Sequence, residues 1–334
     1  MRFLLLPISF FYHIALSIRH KLYDWRLLKS KRFEQPVICV GNLALGGTGK
    51  TPHVEYLFNL LSEQYRICVV SRGYGRKTKG FQLANSNCGP ETIGDEPMQY
   101  VNKFNELMVA VDENRNEAIE LMNTIDRPPE VYLLDDAFQH RSTQAGLNIL
   151  LTAYDRLYCD DHLIPAGSLR DIRSAAKRAD IIIVSKTPTG VDELKKAEVI
   201  GKLNPLPHQK VYFSSLVYEH PDPADAALLF CGIARPEPLI EELKQRYPLV
   251  EVMAFPDHHP YTGKDIETIL QRYRNLKGDR KIIVTTEKDL ARLTNSPYLC
   301  QFESVPLYAV PIKIKIDKEE KFKLDILSYV RKNS

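Results

Sequence analysis

The stretch Val-Ile-Cys-Val-Gly-Asn-Leu-Ala-Leu-Gly-Gly-Thr-Gly-Lys-Thr-Pro, residues 37–52, decides the fold class of this chain. An apolar strand pattern runs into a glycine-rich turn, and a helical pattern follows. This order is typical of a phosphate-binding loop (P-loop), because glycines let backbone N–H groups turn inward around phosphate oxygens and a helix N-terminus favours negative charge. The predicted loop comprises Ala44, Leu45, Gly46, Gly47, Thr48, Gly49, Lys50 and Thr51.

Two side chains of this loop carry its expected chemistry. Lys50 is expected to reach the β- and γ-phosphates of a nucleotide, and the Thr51 hydroxyl is expected to bind Mg²⁺. The loop departs from the usual G-x-x-x-x-G-K-[ST] pattern at Ala44, where glycine is the usual residue. An ordinary glycine-rich turn is the alternative, but Gly-Gly-Thr-Gly-Lys-Thr between a strand and a helix favours phosphate binding.

Short apolar runs rich in β-branched residues recur along the chain, with helical patterns between them. Strands buried on both faces have this composition, and their alternation with helices indicates βαβ units with right-handed crossovers. The runs lie at residues 37–40, 67–70, 107–111, 131–134, 147–151 and 181–184. They predict an α/β fold, a doubly wound parallel sheet like that of P-loop NTPases.

A second α/β series at residues 227–233, 250–255 and 282–285 predicts a smaller lobe. Two alternating segments, 211–218 and 308–316, flank this lobe and are expected to pair as a two-stranded connector. The predicted parts are an N-terminal helix (1–33), a P-loop core (34–210), the smaller lobe with its connector (211–316) and a final helix that returns to the core (317–334).

The N-terminus combines an apolar run with a basic flank. Residues 3–18 carry no formal charge, and Asp24 is the one acid before residue 34. The run is shorter than the ~20 apolar residues that a bilayer span needs. We therefore favour an amphipathic helix that lies in an anionic membrane surface, with its basic flank towards the headgroups. A cleaved signal peptide and a helix that packs in the core are the alternatives.

Two carboxylates, Asp135 and Asp136, follow the apolar run at 131–134, where a Walker-B acid would hold Mg²⁺. Acids that cap a following helix are the alternative, and the sequence does not distinguish which aspartate binds the metal. Asp95 and Glu96, in Ile-Gly-Asp-Glu-Pro, precede another helical pattern. Local sequence alone favours a cap with first-turn acids over a catalytic role for this pair.

Further loops place polar residues at predicted strand ends. His258, in Phe-Pro-Asp-His-His-Pro-Tyr, could orient a carboxylate or lie in a surface loop. Arg72 and Arg76, in Ser-Arg-Gly-Tyr-Gly-Arg, could bind an anionic substrate group or lie in a solvated turn. Asp171 ends Pro-Ala-Gly-Ser-Leu-Arg-Asp, and Thr-Thr-Glu-Lys-Asp at 285–289 is similar to a nucleotide-base clamp.

Composition limits the classes of function. A formal net charge of +3 argues against the broad basic face with which proteins bind nucleic acids. The six cysteines form no C-x-x-C pair and no Cys/His group with zinc spacing. A protein of a reducing cytoplasm, without a nucleic-acid partner, fits these observations best.

Taken together, the motifs resemble those of the tetraacyldisaccharide 4′-kinase family over nearly the whole chain. After the basic, apolar N-terminus they occur in the family's order: Gly-Asn before Gly-Gly-Thr-Gly-Lys-Thr-Pro, Ser-Arg-Gly-Tyr, Gly-Asp-Glu-Pro, Leu-Asp-Asp-x-Phe-Gln-His, Pro-x-Gly-x-Leu-Arg, Asp-His and Thr-Glu-Lys-Asp. The resemblance implies transfer of the γ-phosphate of ATP to the 4′-hydroxyl of a tetraacyldisaccharide 1-phosphate, which forms lipid IVA. It also implies a peripheral, monotopic enzyme at the cytoplasmic face of the bacterial inner membrane.

The resemblance also implies roles for individual residues. Asp95 is expected to accept the hydroxyl proton with His258 raising its basicity, while Lys50 and Mg²⁺ stabilise the transferring phosphoryl group. The family usually has glutamate where this chain has Asp171, which we keep as a candidate for the Mg²⁺ shell. The candidates for substrate binding are Arg72, Arg76, Gln139 and His140.

Two other functions compete with a lipid kinase. A nucleotide switch, which binds a partner protein, should show Asn-Lys-x-Asp after a late strand, whereas Ser-Lys-Thr-Pro follows the run at 181–184. A soluble small-molecule kinase, with its N-terminal helix in the core, is the second alternative. Nucleotide hydrolysis without lipid stimulation would favour the switch. A liposome flotation assay would discriminate the soluble kinase, and membrane association and lipid phosphorylation that are unchanged on deletion of residues 1–30 would contradict the interfacial helix.

Overall fold

The structure is a computed structural model, and it describes residues 5–85, 87–219, 223–233, 235–257, 259–294 and 296–334. Helices and strands alternate along most of the chain, as the apolar runs predict. In chain order the elements are α1 (Leu6–Asp24), β1 (Val37–Asn42), α2 (Lys50–Leu61), β2 (Ile67–Ser71), β3 (Gln82–Leu83), α3 (Pro90–Ile93), α4 (Asp95–Lys103), β4 (Met108–Val111), α5 (Arg115–Met122), β5 (Val131–Asp135), β6 (Leu147–Ala153), β7 (Ile181–Ser185), α6 (Glu193–Leu203), β8 (Lys210–Tyr218), β9 (Ala226–Cys231), α7 (Glu237–Arg246), β10 (Leu249–Ala254), α8 (Gly263–Asn275), β11 (Lys281–Thr286), α9 (Glu287–Thr294), β12 (Leu307–Val310), β13 (Ile312–Ile316) and α10 (Glu319–Asn333).

A nine-stranded sheet has the strand order β13-β8-β7-β6-β1-β5-β2-β4-β3. The strands from β8 to β4 are parallel, and β13 and β3 pair antiparallel at the two edges. Strand β1, which leads into the P-loop, lies between β5 and β6. Because parallel strands end at the same edge of a sheet, the segments after β1, β5, β6 and β7 meet around the P-loop.

Helices cover both faces of this sheet. Val37 and Cys39 of β1 pack on one face with residues of α5 and α6, whereas Ile38 and Val40 pack on the other with residues of α2, α4 and α10. This alternation follows from the period of two of a β-strand. The predicted doubly wound α/β fold is confirmed, and Phe322 of α10 is part of the buried cluster that returns the C-terminus to the large sheet.

The smaller sheet has the strand order β10-β9-β11-β12, and its strands are all parallel. Residues of α8 and α9 pack on one face and residues of α7 on the other. The segment expected at 308–316 divides at Pro311, so that β12 completes the smaller sheet and β13 pairs with β8. Since β8 also pairs with β7, the expected connector is an edge of the large sheet. The residue boundaries predicted for the lobes stay a prediction.

Helix α1 has its apolar side chains on the outside. Its buried residues are Ser9 and His20, whereas Phe10, Phe11 and Ile18 are 61%, 70% and 54% exposed. Tyr12 and Leu16 make the partial apolar contact of the helix with the core. Among the described helices, none combines the length and the apolar character that crossing a bilayer would require. Helix α1 is therefore attached to the protein mainly by polar groups, with an apolar face turned away from it.

Candidate active site

The conformation of the P-loop is fixed by its own backbone and by two side chains. Gly46 and Gly49 adopt φ values of 101° and 81°, a region that side chains disfavour. Gly49 precedes the first turn of α2, whose first N–H groups have no partner within the helix and are available to phosphate oxygens. Asn42 Nδ2 donates to Thr48 Oγ1 (2.8 Å), and Ser185 Oγ donates to the Thr48 carbonyl (2.8 Å).

The first residues of the loop are attached to the segment before Asp171. The Leu45 N–H donates to the Ser168 carbonyl at 2.7 Å, and Ala44 forms an isolated antiparallel bridge with Leu169. The predicted loop residues from Ala44 to Gly49 thus connect β1 to α2, and Lys50 and Thr51 are the first residues of the helix.

His53 of α2, which no sequence motif predicted as a site residue, is hydrogen-bonded to the P-loop. Its Nδ1 lies 2.6 Å from the Gly49 carbonyl, and its Nε2 lies 2.9 Å from Ser214 Oγ of β8. Burial lowers the pKa of His53 to about 4, so the imidazole is neutral near pH 7 and Nδ1–H can donate to the carbonyl. The residue joins the P-loop to β8 of the large sheet.

Asp136 lies among cations at the end of β5. Arg170 donates to both carboxylate oxygens, from Nη1 at 2.9 Å and from Nη2, and Lys50 Nζ lies 3.7 Å away. Burial alone would raise the pKa of Asp136, but the hydrogen bonds from Arg170 and the charge of Lys50 bring it below its usual value. Arg170 also donates to Asn42 Oδ1 at 2.5 Å, so it connects the P-loop strand to the acidic pair.

Asp135 is fully buried beside this group. The Tyr100 hydroxyl donates to Oδ2 at 3.2 Å, whereas Oδ1 has no hydrogen-bond partner among the described residues. Burial raises the pKa of Asp135, and the neighbouring Glu96 and Asp136 carboxylates raise it further. A buried carboxylate oxygen without a partner suits a cation, so these contacts favour Asp135 over Asp136 as a ligand of Mg²⁺.

Asp95 begins α4, the helix that also carries Tyr100. Gly94 before it has φ 95°, and a Cβ there would lie 2.8 Å from the Tyr74 carbonyl, so the Ser-Arg-Gly-Tyr loop packs closely against the start of α4. Because Tyr100 bonds to Asp135, α4 connects Asp95 to the predicted metal site. Asp95 is also 28% exposed at its side chain, which leaves it accessible to a substrate.

The smaller lobe reaches Asp95 through Arg292 of α9. Arg292 Nε and Nη2 donate to Asp95 Oδ2 at 3.3 and 3.2 Å, while Nη1 donates to the Gly232 carbonyl and to Asp289. No sequence motif pointed to this arginine. The predicted partner of Asp95, His258, lies outside the described residues, so the Asp95–His258 pairing stays a prediction.

The expected substrate-binding residues divide into two groups. Arg76 is only 3% exposed at its side chain, and its Nη2 lies 2.8 Å from Glu113, so its contacts do not support the expected role in substrate binding. Arg72 is exposed. Burial lowers the pKa of His140 to about 4, with the charges of Arg115, Arg19 and Arg72 acting in the same direction. The neutral His140 imidazole therefore lies near the positive charges of Arg72, Arg19 and Arg115.

Gln139, the residue before His140, contacts both the P-loop strand and α1. Its side-chain Nε2 donates to the Asn42 backbone carbonyl at 2.8 Å. The backbone carbonyl of Gln139 accepts from Arg19 Nη2 at 2.9 Å. The side-chain amide is thus engaged within the protein. A direct role of Gln139 in substrate binding stays a prediction.

Asp171 has partners that differ from the expected ones. Its Oδ1 lies 2.6 Å from His20 Nε2 of α1, its Oδ2 lies 3.6 Å from Arg178, and the carboxylate is fully buried. Arg141 Nη1 lies 3.0 Å from His20 Nδ1. An arginine can only donate, so Nε2 carries the ring hydrogen and donates it to Asp171. These contacts make Asp171 an anchor for α1. Its Oδ2 is buried without a hydrogen-bond partner among the described residues, so the expected Mg²⁺ role stays a prediction.

Replacing Asp171 by alanine is expected to lower the free energy of unfolding by about 3 kcal/mol, because it leaves His20 and Arg178 without their buried partner. Urea unfolding without Mg²⁺ or nucleotide measures this loss. The control is Asp24→Ala, which breaks the more exposed Asp24–Arg141 pair (2.7 Å) and should cost less than about 1 kcal/mol. A residue that served only as a metal ligand would show no loss in metal-free buffer.

The chain is similar to known proteins over nearly its whole length. The family model described as tetraacyldisaccharide-1-P 4′-kinase (LpxK) matches residues 1–331. A tetraacyldisaccharide 4′-kinase of Bacteroides thetaiotaomicron is 43% identical, covering 99% of this chain and 93% of the relative. One of Flavobacterium johnsoniae is 44% identical, covering 100% of this chain and 98% of the relative.

A solved structure shares the fold as well. The crystal structure of LpxK from Aquifex aeolicus in complex with ATP superimposes with a TM-score of 0.76 at 29% identity, covering 98% of this chain and 99% of that one. Sequence and fold therefore lead to the same conclusion. With its P-loop, its buried Asp135 and a family match that spans residues 1–331, the chain belongs to the tetraacyldisaccharide-1-P 4′-kinase family of enzymes.

Proposed function

We propose that this kinase transfers the γ-phosphate of ATP to the 4′-hydroxyl of tetraacyldisaccharide 1-phosphate, forming lipid IVA at the cytoplasmic face of the inner membrane. The observation that carries the proposal is the meeting of Lys50 with Asp136 and the buried Asp135 where β1 and β5 end. Family membership supports the substrate, and the ATP complex of the Aquifex aeolicus relative supports the nucleotide.

The residues present fit a magnesium ion. Asp135 supplies a buried oxygen without a hydrogen-bond partner among the described residues, and Thr51 at the start of α2 supplies a hydroxyl. Oxygen ligands of this kind are those that Mg²⁺ prefers. When bound, the ion neutralises charge on the phosphates.

The protein groups then have separate tasks. Lys50 stabilises negative charge on the transferring phosphoryl group, and Arg170 keeps Asp136 beside it. Asp95 accepts the proton of the 4′-hydroxyl, which needs a carboxylate within hydrogen-bond reach of the acceptor oxygen. Arg72, which is exposed near His140, is placed to attract the anionic headgroup.

Transfer of γ-labelled phosphate from ATP to tetraacyldisaccharide 1-phosphate in mixed micelles tests the reaction directly. We expect labelled lipid in the presence of Mg²⁺ and none in excess chelator. Nucleotide turnover without labelled lipid would contradict a lipid kinase and support the nucleotide switch.

The outer face of α1 is the proposed membrane contact. Apolar side chains there are exposed to water, and residues around Lys21 and Arg26 provide positive charge for an anionic surface. Ser9 and His20 bond the opposite side of the helix to the rest of the protein. Helix α1 can therefore insert its apolar side chains into a membrane while these contacts are kept.

Replacing both Phe10 and Phe11 by serine is expected to weaken binding to vesicles of anionic lipid at least about tenfold, since each ring loses an apolar burial worth roughly 1.5–3 kcal/mol. Vesicle flotation measures the bound fraction. The control is Leu324→Ser, which removes an apolar side chain that is 63% exposed on α10. Equal flotation of the double variant and the unaltered protein would show that α1 does not carry membrane binding.

A further inference from the structure

Lys186 is a cation beside the P-loop. It is not part of the P-loop motif, and the proposed reaction assigns it no role. It directly follows β7, whose last residue, Ser185, donates to the Thr48 carbonyl of the P-loop at 2.8 Å. A Cβ placed on Gly47 would lie 4.0 Å from Lys186 Nζ. The ammonium group is therefore directed towards the backbone that would surround a phosphate.

The backbone of Lys186 supports this placement. The residue has φ 55°, the left-handed region that residues with a Cβ seldom adopt. Hydrogen bonds on the next residue fix the turn: the Thr187 N–H donates to the Ser214 carbonyl, and the Thr187 hydroxyl donates to the Val184 carbonyl. An uncommon conformation that its surroundings enforce is frequent at functional sites.

Lys186 differs from the other cations at the P-loop in having no anionic partner among the described residues. Lys50 and Arg170 both contact Asp136. Within the described parts of the chain, no carboxylate lies within ion-pair distance of Lys186 Nζ, although the side chain is half-buried. A partly desolvated ammonium without a counter-charge is costly unless a ligand supplies one.

The charges around Lys186 have the same implication. Burial lowers the pKa of Lys186, and the Arg235 guanidinium lowers it further. Asp155 acts in the opposite direction but is itself paired with Arg235 at 2.5 Å. Lys288 of α9 and Arg156 add positive charge nearby. The surroundings of Lys186 are thus short of negative charge, which an anionic ligand would provide.

The strand order indicates which part of a nucleotide would meet Lys186. The γ-phosphate must face the predicted base and metal site, on Asp95 and Asp135, at the ends of α4 and β5. Strand β7 lies on the other side of β1, two positions away. A triphosphate that crosses the P-loop from β5 towards β7 brings its α- and β-phosphates, which lie on the nucleoside side, to Lys186.

We propose that Lys186 binds the α- and β-phosphates of the nucleotide and so determines nucleotide affinity. This inference rests on the proposed ATP-dependent function and adds a binding residue to it. Lys50 then acts at the phosphate being transferred, and Lys186 acts at the phosphates that remain on the nucleotide. A contact to the α- and β-phosphates exists equally in ATP and ADP, so the two nucleotides should depend on Lys186 to a similar degree.

Isothermal titration of the full-length protein with ATP and with ADP tests the proposal. Lys186→Ala should weaken both affinities at least about tenfold, and Lys186→Arg should recover most of the loss. In the lipid assay, the larger part of the change should appear in KM for ATP rather than in kcat. Lys195→Ala, which removes an exposed lysine from α6, is the matched control and should bind both nucleotides like the unaltered protein.

Three results would contradict this role. The first is an unchanged ADP affinity in Lys186→Ala, which would show that Lys186 does not bind the α- and β-phosphates. The variant's unliganded melting temperature should match that of the unaltered protein in this comparison. Weakened ATP binding with normal ADP binding would place Lys186 at the γ-phosphate instead. Failure of the unaltered protein to bind ATP would contradict the proposed function itself, and Lys186 would lose its assigned ligand with it.

Discussion

Replacing Lys50 by alanine is expected to lower phosphate transfer to the lipid about 10²- to 10³-fold, the usual cost of removing one preorganised charge from a transition state. The side chain is only 12% exposed and lies 3.7 Å from Asp136, so its position is fixed before the nucleotide arrives. Water that enters the vacated space cannot replace a positive charge. Initial rates with labelled ATP at saturating lipid measure the effect.

Two control variants distinguish the loss of the Lys50 charge from a non-specific effect of substitution. Lys77→Ala removes an exposed lysine that pairs with Glu91 at the surface and should leave the rate unchanged. Lys50→Arg keeps the charge but changes its shape, and it should recover only part of the lost activity, because a planar guanidinium does not replace a compact ammonium. A Lys50→Ala protein that retains more than a tenth of the normal rate would contradict the role of the P-loop lysine.

Asp95→Asn is expected to lower kcat about 10²- to 10⁴-fold, the range over which general acid–base catalysis contributes. The amide has nearly the shape of the carboxylate but does not accept a proton from the 4′-hydroxyl. Its oxygen can still accept a hydrogen bond from Arg292, so the contact between the lobes should persist. Nucleotide affinity and melting temperature are therefore expected to remain close to normal while turnover is lost.

Glu96→Gln is the matched control for Asp95. Glu96 is the next residue of α4 and lies 3.7 Å from Lys288, so its replacement also removes one acid and weakens one contact between the lobes. We expect less than a tenfold change in kcat. Equal losses in the two variants would mean that the charge of the helix start matters and that Asp95 is not the proton acceptor.

The large sheet could be predicted because its information is local. Buried parallel strands require continuous apolar runs, and the runs at 37–40 and 131–134 begin the strands β1 and β5 that the structure shows. The division of the 308–316 segment was missed. An alternating pattern shows which residues face inward, but it does not indicate which neighbouring sheet each half will join.

The site could be predicted only where one motif contains the whole chemistry. The P-loop is such a motif, because a single turn provides amides, lysine and hydroxyl together. Arg170 and Arg292 instead act on carboxylates that are 34 and 197 residues away in sequence. Ion pairs of this kind depend on which loops the sheet brings together, and no local pattern records them.

Charged residues in similar loops also had different environments. Arg76 and Arg72 belong to the same short motif, yet the Arg76 side chain is buried and pairs with Glu113, whereas Arg72 is exposed. Asp171 follows a strand-end loop as a metal ligand would, but His20 from α1 is next to it. Burial decides between these roles, and burial is a property of the tertiary structure.

Helix α1 and the Arg170 loop are directly bonded, since the Tyr12 hydroxyl donates to the Arg170 carbonyl at 3.0 Å and His20 contacts Asp171. Insertion of the outer face of α1 into a membrane would therefore determine the height and tilt of the active site relative to the lipid headgroups. Enzyme and lipid would then meet by lateral diffusion in two dimensions. The turnover of bound enzyme would follow the mole fraction of substrate in the surface, not its concentration in the bulk solution.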